Sequence, residues 1–324
     1  MNCPEFTHLL VLPHLKVHNA NAVSSPLTHG FPSITAFLGL MWALERKTRE
    51  AGLELAFNAV GVVCHDHEEQ TTEGGFVKSF RLTRNPVGKD GGTAAIVEEG
   101  RIHLELSLLL AVYTENWNED AQQRDLQTIT GLLQGMRIAG GTLLPPALPQ
   151  GSRRRPWIAD FTDDAHDDFR KLRARLLPGS ALVARDDLID QRLQELQTAT
   201  PAATRLDAWL SLSRINWRHD AAAEGGKGAW QNDRTKGSGW VVPIPVGYGA
   251  LGNLHAAGSV ANARDATTPF RFVESLYSMG EWIGPHRLHS PKDLLWYADS
   301  RSDEGLYRCR NDYRAADVHA GTTL

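Results

Sequence analysis

The sequence predicts an α+β protein whose N-terminal half carries a ferredoxin-like core. Arg101–Tyr113 alternates apolar and polar side chains as a strand does, and the segment that begins near Ser33 repeats its apolar residues at helical spacing. Over residues 1–150 the elements follow the order strand, helix, strand, strand, helix, strand, which is the split βαβ arrangement. The RNA-recognition motif has this fold, but so do proteins with unrelated functions, so the fold alone indicates no function.

The first three elements follow from side-chain periodicity. His8–His18 predicts the first strand, because it opens as an apolar run and then alternates. The first helix begins near Ser33 and ends before Gly52, and its apolar residues lie three and four positions apart: Ile34, Phe37, Leu38, Met41 and Trp42. The second strand joins the alternating Leu53–Phe57 to the apolar run Val60–Cys64.

The last three core elements follow the same rules. Arg101–Tyr113 is the third strand, and Asn118–Arg137 is the second helix because one stripe of it is apolar. Gly140-Gly141 ends that helix, and Thr142–Leu144 predicts the final strand. These elements make residues 1–150 the predicted core domain.

A long insertion separates the second and third predicted strands. It covers His65–Gly100, and it contains two strand-like segments, Phe76–Leu82 and Thr93–Val97. The residues between these segments are typical of turns: Asn85, Pro86, Gly88, Gly91 and Gly92. We therefore expect one long β-hairpin that projects from the sheet.

Residues 151–324 predict an irregular C-terminal region that packs on the core. Pro145–Pro156, rich in Pro and Arg, predicts an exposed connector, and Ala221–Gly239, rich in Gly and Ala, predicts a mobile loop. Trp240–Pro245 predicts a short strand, and Arg310–Leu324 is expected to fray. Four segments read as helices: Asp163–Leu177, Leu188–Leu196, Leu206–Ile215 and Phe270–Ile283.

Composition narrows the class of protein. The net charge of -4 argues against a surface covered with positive charge, but 26 of the 34 basic residues are Arg and 8 are Lys. Arg suits RNA because its guanidinium forks onto phosphates and stacks on bases, although codon bias in a GC-rich genome gives the same excess. No apolar run is long enough to span a membrane, no signal peptide opens the chain, and the three cysteines form no zinc pattern. We expect a cytoplasmic protein.

The motifs of common catalytic sites are missing from the sequence. Cys64–Glu69 is rich in His and acids, which suits a metal, but without partner groups a solvated loop is the favoured interpretation. No Gly-x-Ser-x-Gly nucleophile motif is present, and Gly135–Gly141 lacks the Lys of a phosphate-binding loop. We therefore expect no metal and no cofactor.

Two segments carry side chains that suit contact with a nucleic acid. The loop after the first strand holds Asn19, Asn21, Ser24, Ser25 and His29, whose polar groups either read bases or form turns. By spacing alone, turn formation is favoured. Arg81 and Arg84 lie on the predicted hairpin near its Gly-rich tip, where they are placed to contact phosphates.

Several stretches, taken in order, carry a resemblance to a known family. They are short and run nearly from end to end of the chain: His18–Thr28, Gly30–Pro32, Leu82–Pro86, Asp90–Arg101, Met136-Arg137, Ala139–Gly141, Leu176–Gly179, Val242–Pro245, Asn262–Asp265, Pro269–Glu274, Pro285–Arg287 and Leu294–Tyr297. By these stretches the chain resembles the second Csy protein, the Cas-five-type subunit that holds the guide RNA in type I-F CRISPR surveillance complexes. Ala221–Gly239 and the C-terminal tail do not match.

The resemblance implies a RAMP version of the ferredoxin-like core, with the insertion at about 65–100 as its thumb. It implies binding to the 5-prime handle of crRNA, a heterodimer with the large Csy subunit, and contact with the Csy backbone subunit during antiviral defence. Contact with target double-stranded DNA inside the complex is left open. Guide processing and target cleavage belong to other proteins in such systems, so the resemblance implies a subunit without catalysis.

The resemblance and the residue types together give a predicted RNA-binding set. It combines the loop after the first strand, the hairpin, the turn after the second helix, and Arg residues of the C-terminal stretches: Asn19, Asn21, Ser24, Ser25, His29, Arg81, Arg84, Asn85, Arg137, Gly140, Gly141, Arg264, Arg271 and Arg287. Gly140 and Gly141 are included because glycine lets backbone N–H groups approach a phosphate closely.

Two other functions stay open at the level of sequence. One is a RAMP-fold endoribonuclease that processes guide RNA with His29 or His14 as the base. Against it stands the lack of a visible partner for either histidine. The other is a protein adaptor that leaves the RNA handle unprotected.

Overall fold

The computed structural model of the chain describes residues 2–84, 86–115, 117–146, 151–161, 166–215, 217–220, 228–232 and 239–315. The strands are β1 His8–Asn21, β2 Val23–Ser25, β3 Thr28–His29, β4 Ala56–Glu69, β5 Thr71–Gly74, β6 Val77–Phe80, β7 Leu82–Arg84, β8 Ile96–Glu98, β9 Arg101–Tyr113, β10 Arg137–Ile138, β11 Gly141–Leu143, β12 Trp157–Asp160, β13 Ser180–Ala184, β14 Trp217–Asp220, β15 Ala229–Asn232, β16 Trp240–Ala250, β17 Val273–Ile283, β18 Leu295–Arg301 and β19 Leu306–Asn311. The helices are α1 Ile34–Glu50, α2 Glu119–Gln134, α3 His166–Arg175, α4 Asp186–Ala199 and α5 Arg205–Leu212, with 3₁₀ turns at Ser152–Arg154, Pro285–Arg287 and Pro291–Leu294.

The predicted α+β class is confirmed, and a large antiparallel sheet organises the chain. In its first half the strands lie in the order β10, β11, β1, β9, β4, and each neighbouring pair is antiparallel. Helices α1 and α2 cover one face, where their apolar residues join one core cluster with those of β1, β4 and β9. The side chains of Ser33 and Asn118 cap the two helices by accepting backbone N–H bonds.

The second strand extends beyond its predicted end at Cys64. Strand β4 pairs with β9 as far as Glu69, which lies opposite Ile102, so the interpretation of Cys64–Glu69 as a solvated loop was wrong. A bulge between Cys64 and Asp66 interrupts the register. The continuous run of polar residues from His65 to Glu69 disguised the strand, because most of this end of β4 is exposed to solvent and so lacks the apolar face that marks a strand in a sequence.

The insertion between β4 and β9 forms two hairpins instead of the single long one predicted. Strand β5 pairs with β6, and β7 pairs separately with β8, so Phe76–Leu82 does not pair as a unit with Thr93–Val97. Gly75 makes the difference, because its φ of +65° allows a tight turn directly after β5. The prediction placed the only turn at the later glycines.

The second half of the chain is more regular than expected. Phe270–Ile283 was predicted as a helix, and this was wrong: Val273–Ile283 is strand β17, paired with β16 along its length from Trp240 to Ala250. Helical and strand periodicities overlap in a short apolar run, and the long-range partner decides between them. Within the predicted mobile loop, β15 pairs with β14, and residues 221–227 and 233–238 lie outside the described ranges.

The two halves are joined through β4. One edge of β4 pairs with β9, and its other edge pairs with β18 at Val60-Gly61 and with β13 at Val63-Cys64. Strand β13 continues to β17, β16, β19 and β18, so these pairings close a ring of strands that returns to β4. Within this ring the buried indole of Trp296 donates its N–H to the carbonyl of Leu182 at 2.8 Å.

The described helices include none that is long and apolar enough to cross a membrane.

The closure of the ring predicts a strict requirement for glycine at position 61. A Cβ there would lie 2.7 Å from Cγ of Leu294, which is fully buried, and 3.4 Å from Cβ of Leu109. We therefore expect Gly61→Ala to lower the free energy of unfolding by about 1–3 kcal/mol, because β4 and the turn before β18 must move apart. Urea unfolding of the full chain measures this change.

Gly131→Ala in α2 is the matched control, since a Cβ there meets no atom within 4 Å. That substitution is expected to raise stability by about 0.5–1 kcal/mol through helix propensity. Equal unfolding midpoints for Gly61→Ala and the unmodified chain would contradict the close packing of β4 on this turn.

Candidate nucleic-acid interface

Two predicted RNA-binding segments meet at one edge of the sheet. The backbone N–H of Asn21, at the end of β1, donates to the carbonyl of Ala139 at 2.9 Å. Arg137 in β10 and Asn19 in β1 are both exposed beside this contact. The structure thus brings together residues that are more than 100 positions apart in the chain.

The two glycines at the turn between β10 and β11 have different roles. Gly140 has a φ of +78°, and no atom lies within 4 Å of the position its Cβ would take, so its backbone faces open space. A Cβ on Gly141 would lie 2.7 Å from the backbone nitrogen of Ala20. Gly141 therefore allows β11 to lie directly against β1, and Gly140 gives the exposed side of the turn.

The serines of the loop after β1 are engaged within the loop itself. The hydroxyl of Ser25 is buried and accepts the backbone N–H of Thr28 at 3.1 Å, and it lies 2.7 Å from the Thr28 hydroxyl. Ser24 bonds to the Thr28 hydroxyl at 2.8 Å. These bonds hold the small β2–β3 hairpin, so turn formation is the structural role of both serines.

His29 is the last residue of this hairpin, and its exposed side chain is paired with a carboxylate. Its Nδ1 lies 2.9 Å from Oε1 of Glu69 at the end of β4, and its ring meets Phe80 edge-on at 5.7 Å between ring centres. No local pattern indicates this pair, because the two residues lie 40 positions apart. A carboxylate that orients an imidazole is compatible with RNA binding and with general-base chemistry.

The second histidine considered as a base, His14, is less available. Its Nδ1 lies 2.8 Å from Oε1 of Glu105, and its ring stacks on His65 at 4.1 Å between centres. His65 in turn bonds Ser107 and the carbonyl of Pro178 through its two nitrogens. Burial lowers the pKa of His65, which favours its neutral form.

Arg81 stabilises the base of the two hairpins. Its Nη1 donates to the side-chain oxygen of Gln70 at 2.7 Å, and the backbone N–H of Gln70 donates to the carbonyl of Arg101 in β9. The backbone of Arg84 ends β7, and Asn85 lies outside the described residues. The structure therefore gives Arg81 a structural contact in addition to its predicted role.

The three C-terminal arginines of the predicted set lie apart from this edge. Arg264 is exposed in the irregular segment between β16 and β17, and Arg271 donates to the carbonyl of Ser302 at 3.1 Å in the turn between β18 and β19. Arg287 ends a 3₁₀ turn that contacts α3. In the sheet, β10 and β11 lie at one end of the strand order. The strands that flank these three arginines lie on the other side of β4.

A cleft of about 600 Å³ opens beside His29, where the two halves of the chain meet. Its buried floor is apolar, and its lining continues into two tryptophans, exposed Trp240 and half-buried Trp282. The mouth carries polar and charged side chains: Ser24, His29, Asp66, His67, Glu69 and Lys78. Its size is that of a small-ligand site.

The cleft has no reactive thiolate among its lining groups. Cys64 lines it, and burial, followed by the nearby charge of Asp66, raises the pKa of its thiol to about 12. In the described part of the chain, no three His, Cys, Asp or Glu side chains lie close enough together to hold a metal ion. The chemistry available in this cleft is therefore stacking and hydrogen bonding, and the His29–Glu69 pair also offers a base.

The sequence analysis missed both tryptophans of the cleft as a binding feature. Trp240 lies opposite Trp282 in the β16–β17 pairing, with their ring centres 6.4 Å apart. Phe31 meets the other side of Trp282 at 4.8 Å. No local signal joins these residues, because the three lie on separate segments that only the folded sheet brings together.

Comparison with known proteins gives concordant results. The family model Cas_Csy2, described as a CRISPR-associated protein, matches residues 10–309. The chain is also 45% identical over 311 residues to the CRISPR-associated protein Csy2 of Pseudomonas aeruginosa strain UCBPP-PA14, an alignment that covers 93% of this chain and 94% of that protein.

The buried thiols predict slow alkylation in the folded chain. Burial raises the pKa of Cys3, Cys64 and Cys309 to about 12, so at pH 8 the thiolate fraction falls about a thousandfold below that of an ordinary cysteine. We expect iodoacetamide to label none of the three within minutes at pH 8, and the rate to rise with pH. The mass of the intact protein measures labelling, and the chain unfolded in guanidinium is the control. Rapid addition of one label to the folded chain would contradict the raised pKa of at least one of the three thiols.

Proposed function

This chain belongs to the Cas_Csy2 family of CRISPR-associated proteins, and on that premise we propose that it is a non-catalytic subunit of a type I-F CRISPR complex. In this role it binds the 5-prime handle of crRNA in a cytoplasmic ribonucleoprotein that recognises foreign DNA.

The strand order supports a ferredoxin-like RAMP core as the RNA-binding scaffold. The order β11, β1, β9, β4, with α1 and α2 on one face, is the order in which a split βαβ unit arranges its four strands. The hairpins β5–β6 and β7–β8, inserted between β4 and β9, occupy the place of the thumb. This combination is the basis for proposing the RAMP core.

The observation that carries the proposal is the sheet edge at which Asn21 bonds Ala139. It gathers an exposed Arg137, an open turn at Gly140 and the polar end of β1 on one surface. Arg donates paired N–H bonds to phosphate, and the backbone N–H groups of a glycine turn donate to an anion at close range. Such a surface binds a strand of RNA locally, which agrees with a chain whose net charge is -4.

Partners of two kinds belong to the proposal. A heterodimer with the large Csy subunit and a contact with the Csy backbone subunit need exposed apolar surface, and the chain carries some on and after α5: Leu206, Leu210, Ile215 and Trp217. Target double-stranded DNA is a further possible contact in the assembled complex. Arg264 and Arg287 are exposed and remain in the proposed RNA-binding set.

A second function is favoured by one specific observation. His29 is paired with Glu69 and opens onto a cleft that also holds Lys78, which is the arrangement of a histidine base with a cation close by. An endoribonuclease that processes guide RNA therefore remains the alternative to the scaffold.

The first prediction concerns affinity for the handle. In the chain copurified with its large subunit, we expect tighter binding of handle RNA than of a scrambled RNA, with the RNA left intact. Arg84→Ala combined with Arg137→Ala should weaken binding and reduce the slope of log K against log salt by about 0.7 for each lost phosphate contact. Fluorescence anisotropy over a salt series measures both quantities.

The matched control is Arg49→Ala, which removes an exposed arginine of α1 that is paired with Glu45. It should leave affinity and salt slope unchanged. Equal binding of both RNAs would contradict the proposed handle binding, and an unchanged salt slope in the double variant would contradict the proposed surface.

The second prediction separates scaffold from enzyme. Repeat RNA incubated with the chain in excess chelator should stay uncut, and His29→Ala should make no difference. A product cut at a fixed position, absent with His29→Ala and retained with His219→Ala as the control, would establish the endoribonuclease and overturn the scaffold.

A further inference from the structure

The geometry points to a base-binding function for the cleft beside His29: we propose that it receives one unpaired base of the bound RNA, stacked on Trp240. This inference deepens the proposed function and rests on it. It assigns a ligand class to residues outside the predicted RNA-binding set, namely Trp240, Trp282, His67 and Lys78.

The floor of the cleft fits a flat, largely uncharged group. It is formed by side chains that are almost completely removed from solvent, among them Ile34, Ile102, Leu182 and Ile244. A charged group on this floor would lose its hydration without a partner, whereas the face of an aromatic ring would not. The volume of about 600 Å³ leaves room for a base with part of its sugar.

The two indoles give the cleft a wall on which a ring can stack. Trp282 is fixed between Phe31 and Trp240, at ring-centre distances of 4.8 and 6.4 Å. Trp240 is 56% exposed, although it lies in a sheet beside a buried core, so part of its indole surface is uncovered at the mouth. Exposed indoles on a rigid strand are stacking platforms for single-stranded nucleic acid.

The charges at the mouth favour a base inside the cleft and its phosphate outside it. Asp66 and Glu69 line the mouth and would repel an anion, which excludes a free phosphate or a carboxylate as the preferred occupant. The same carboxylates, with His67 and Ser24, offer acceptors and donors to the polar edge of a base. The phosphates would then stay outside, towards Lys78 and the arginine of the sheet edge.

The chain itself connects the cleft to the proposed RNA surface. Asn21 lies at the sheet edge, and Ser24 and His29, a few residues further along, line the cleft. One short segment therefore forms both the surface for the backbone and the rim of the cleft. An RNA strand that follows this segment passes the mouth without leaving the protein.

The test combines a protein variant with an RNA that lacks one base. Handle RNAs with a single abasic site, scanned along the handle, are bound to the chain copurified with its large subunit. At one position the abasic RNA should bind about 5- to 150-fold more weakly to the unmodified chain, which is the range expected for one stacked base. Trp240→Ala should cause a similar loss with intact RNA, and the two changes together should cost no more than either alone.

Two variants control for folding and for nonspecific stacking. Trp240→Phe keeps an aromatic face and should retain most of the affinity. Trp230→Ala removes an indole that is 66% exposed on the β14–β15 hairpin, and it should leave the abasic profile unchanged.

The outcomes separate this inference from the proposed function. If handle-selective binding is present but the effects of Trp240→Ala and every abasic site simply add, the base cleft is overturned and the handle-binding function stands. If the unmodified chain does not prefer the handle at all, the proposed function fails first. An abasic effect that persists in full in Trp240→Ala also overturns the inference.

Discussion

The hydrogen bonding of both edges of β4 is the constraint on which the rest of the structure depends. One edge carries β9 along its length, and the other is divided between β18 at Val60-Gly61 and β13 at Val63-Cys64. The backbone groups of a buried strand must all be paired. Strand β4 therefore cannot lose β13 and β18, because that would leave an unpaired strand edge in the core. Because Gly61 has no side chain, Leu294 can pack directly against β4, and β18 can therefore reach this edge.

This arrangement also builds the cleft. Beyond the bulge at Cys64–Asp66, β4 no longer has β18 or β13 on its second edge, and its last residues instead form the wall that ends at Glu69. Strands β16 and β17 supply the opposite wall with Trp240 and Trp282. The cleft therefore exists because the second half of the chain pairs with only the first part of β4. A carboxylate at the end of such a strand is well placed to orient His29.

The sequence was sufficient to predict elements whose conformation depends on neighbouring residues in the chain. It was insufficient where pairing with a distant segment determines the conformation. Periodicity located α1 and β9, whose bounds agree with the predicted Ser33 start and Arg101–Tyr113. It misassigned Phe270–Ile283, because an apolar run takes its conformation from its partner β16. The polarity of the loop indicated Asn21 and the family resemblance indicated Arg137, each separately, but the bond from Asn21 to Ala139 follows only from the register of β11 on β1. The same limit hid the His29–Glu69 pair.

The excess of arginine has an explanation within the fold that does not depend on RNA. Several arginines of the second half pair with carboxylates of neighbouring strands or helices: Arg185 with Glu281, Arg308 with Asp186, and Arg310 with Asp299. A buried carboxylate such as Asp299 needs this pairing, and the guanidinium of Arg310 helps to keep its pKa below the usual range against the opposing effect of burial. Arginine count is therefore a poor measure of RNA affinity. What distinguishes Arg137 is its position, exposed beside an open turn on the sheet edge, and position is what a negatively charged chain needs to bind RNA on one surface.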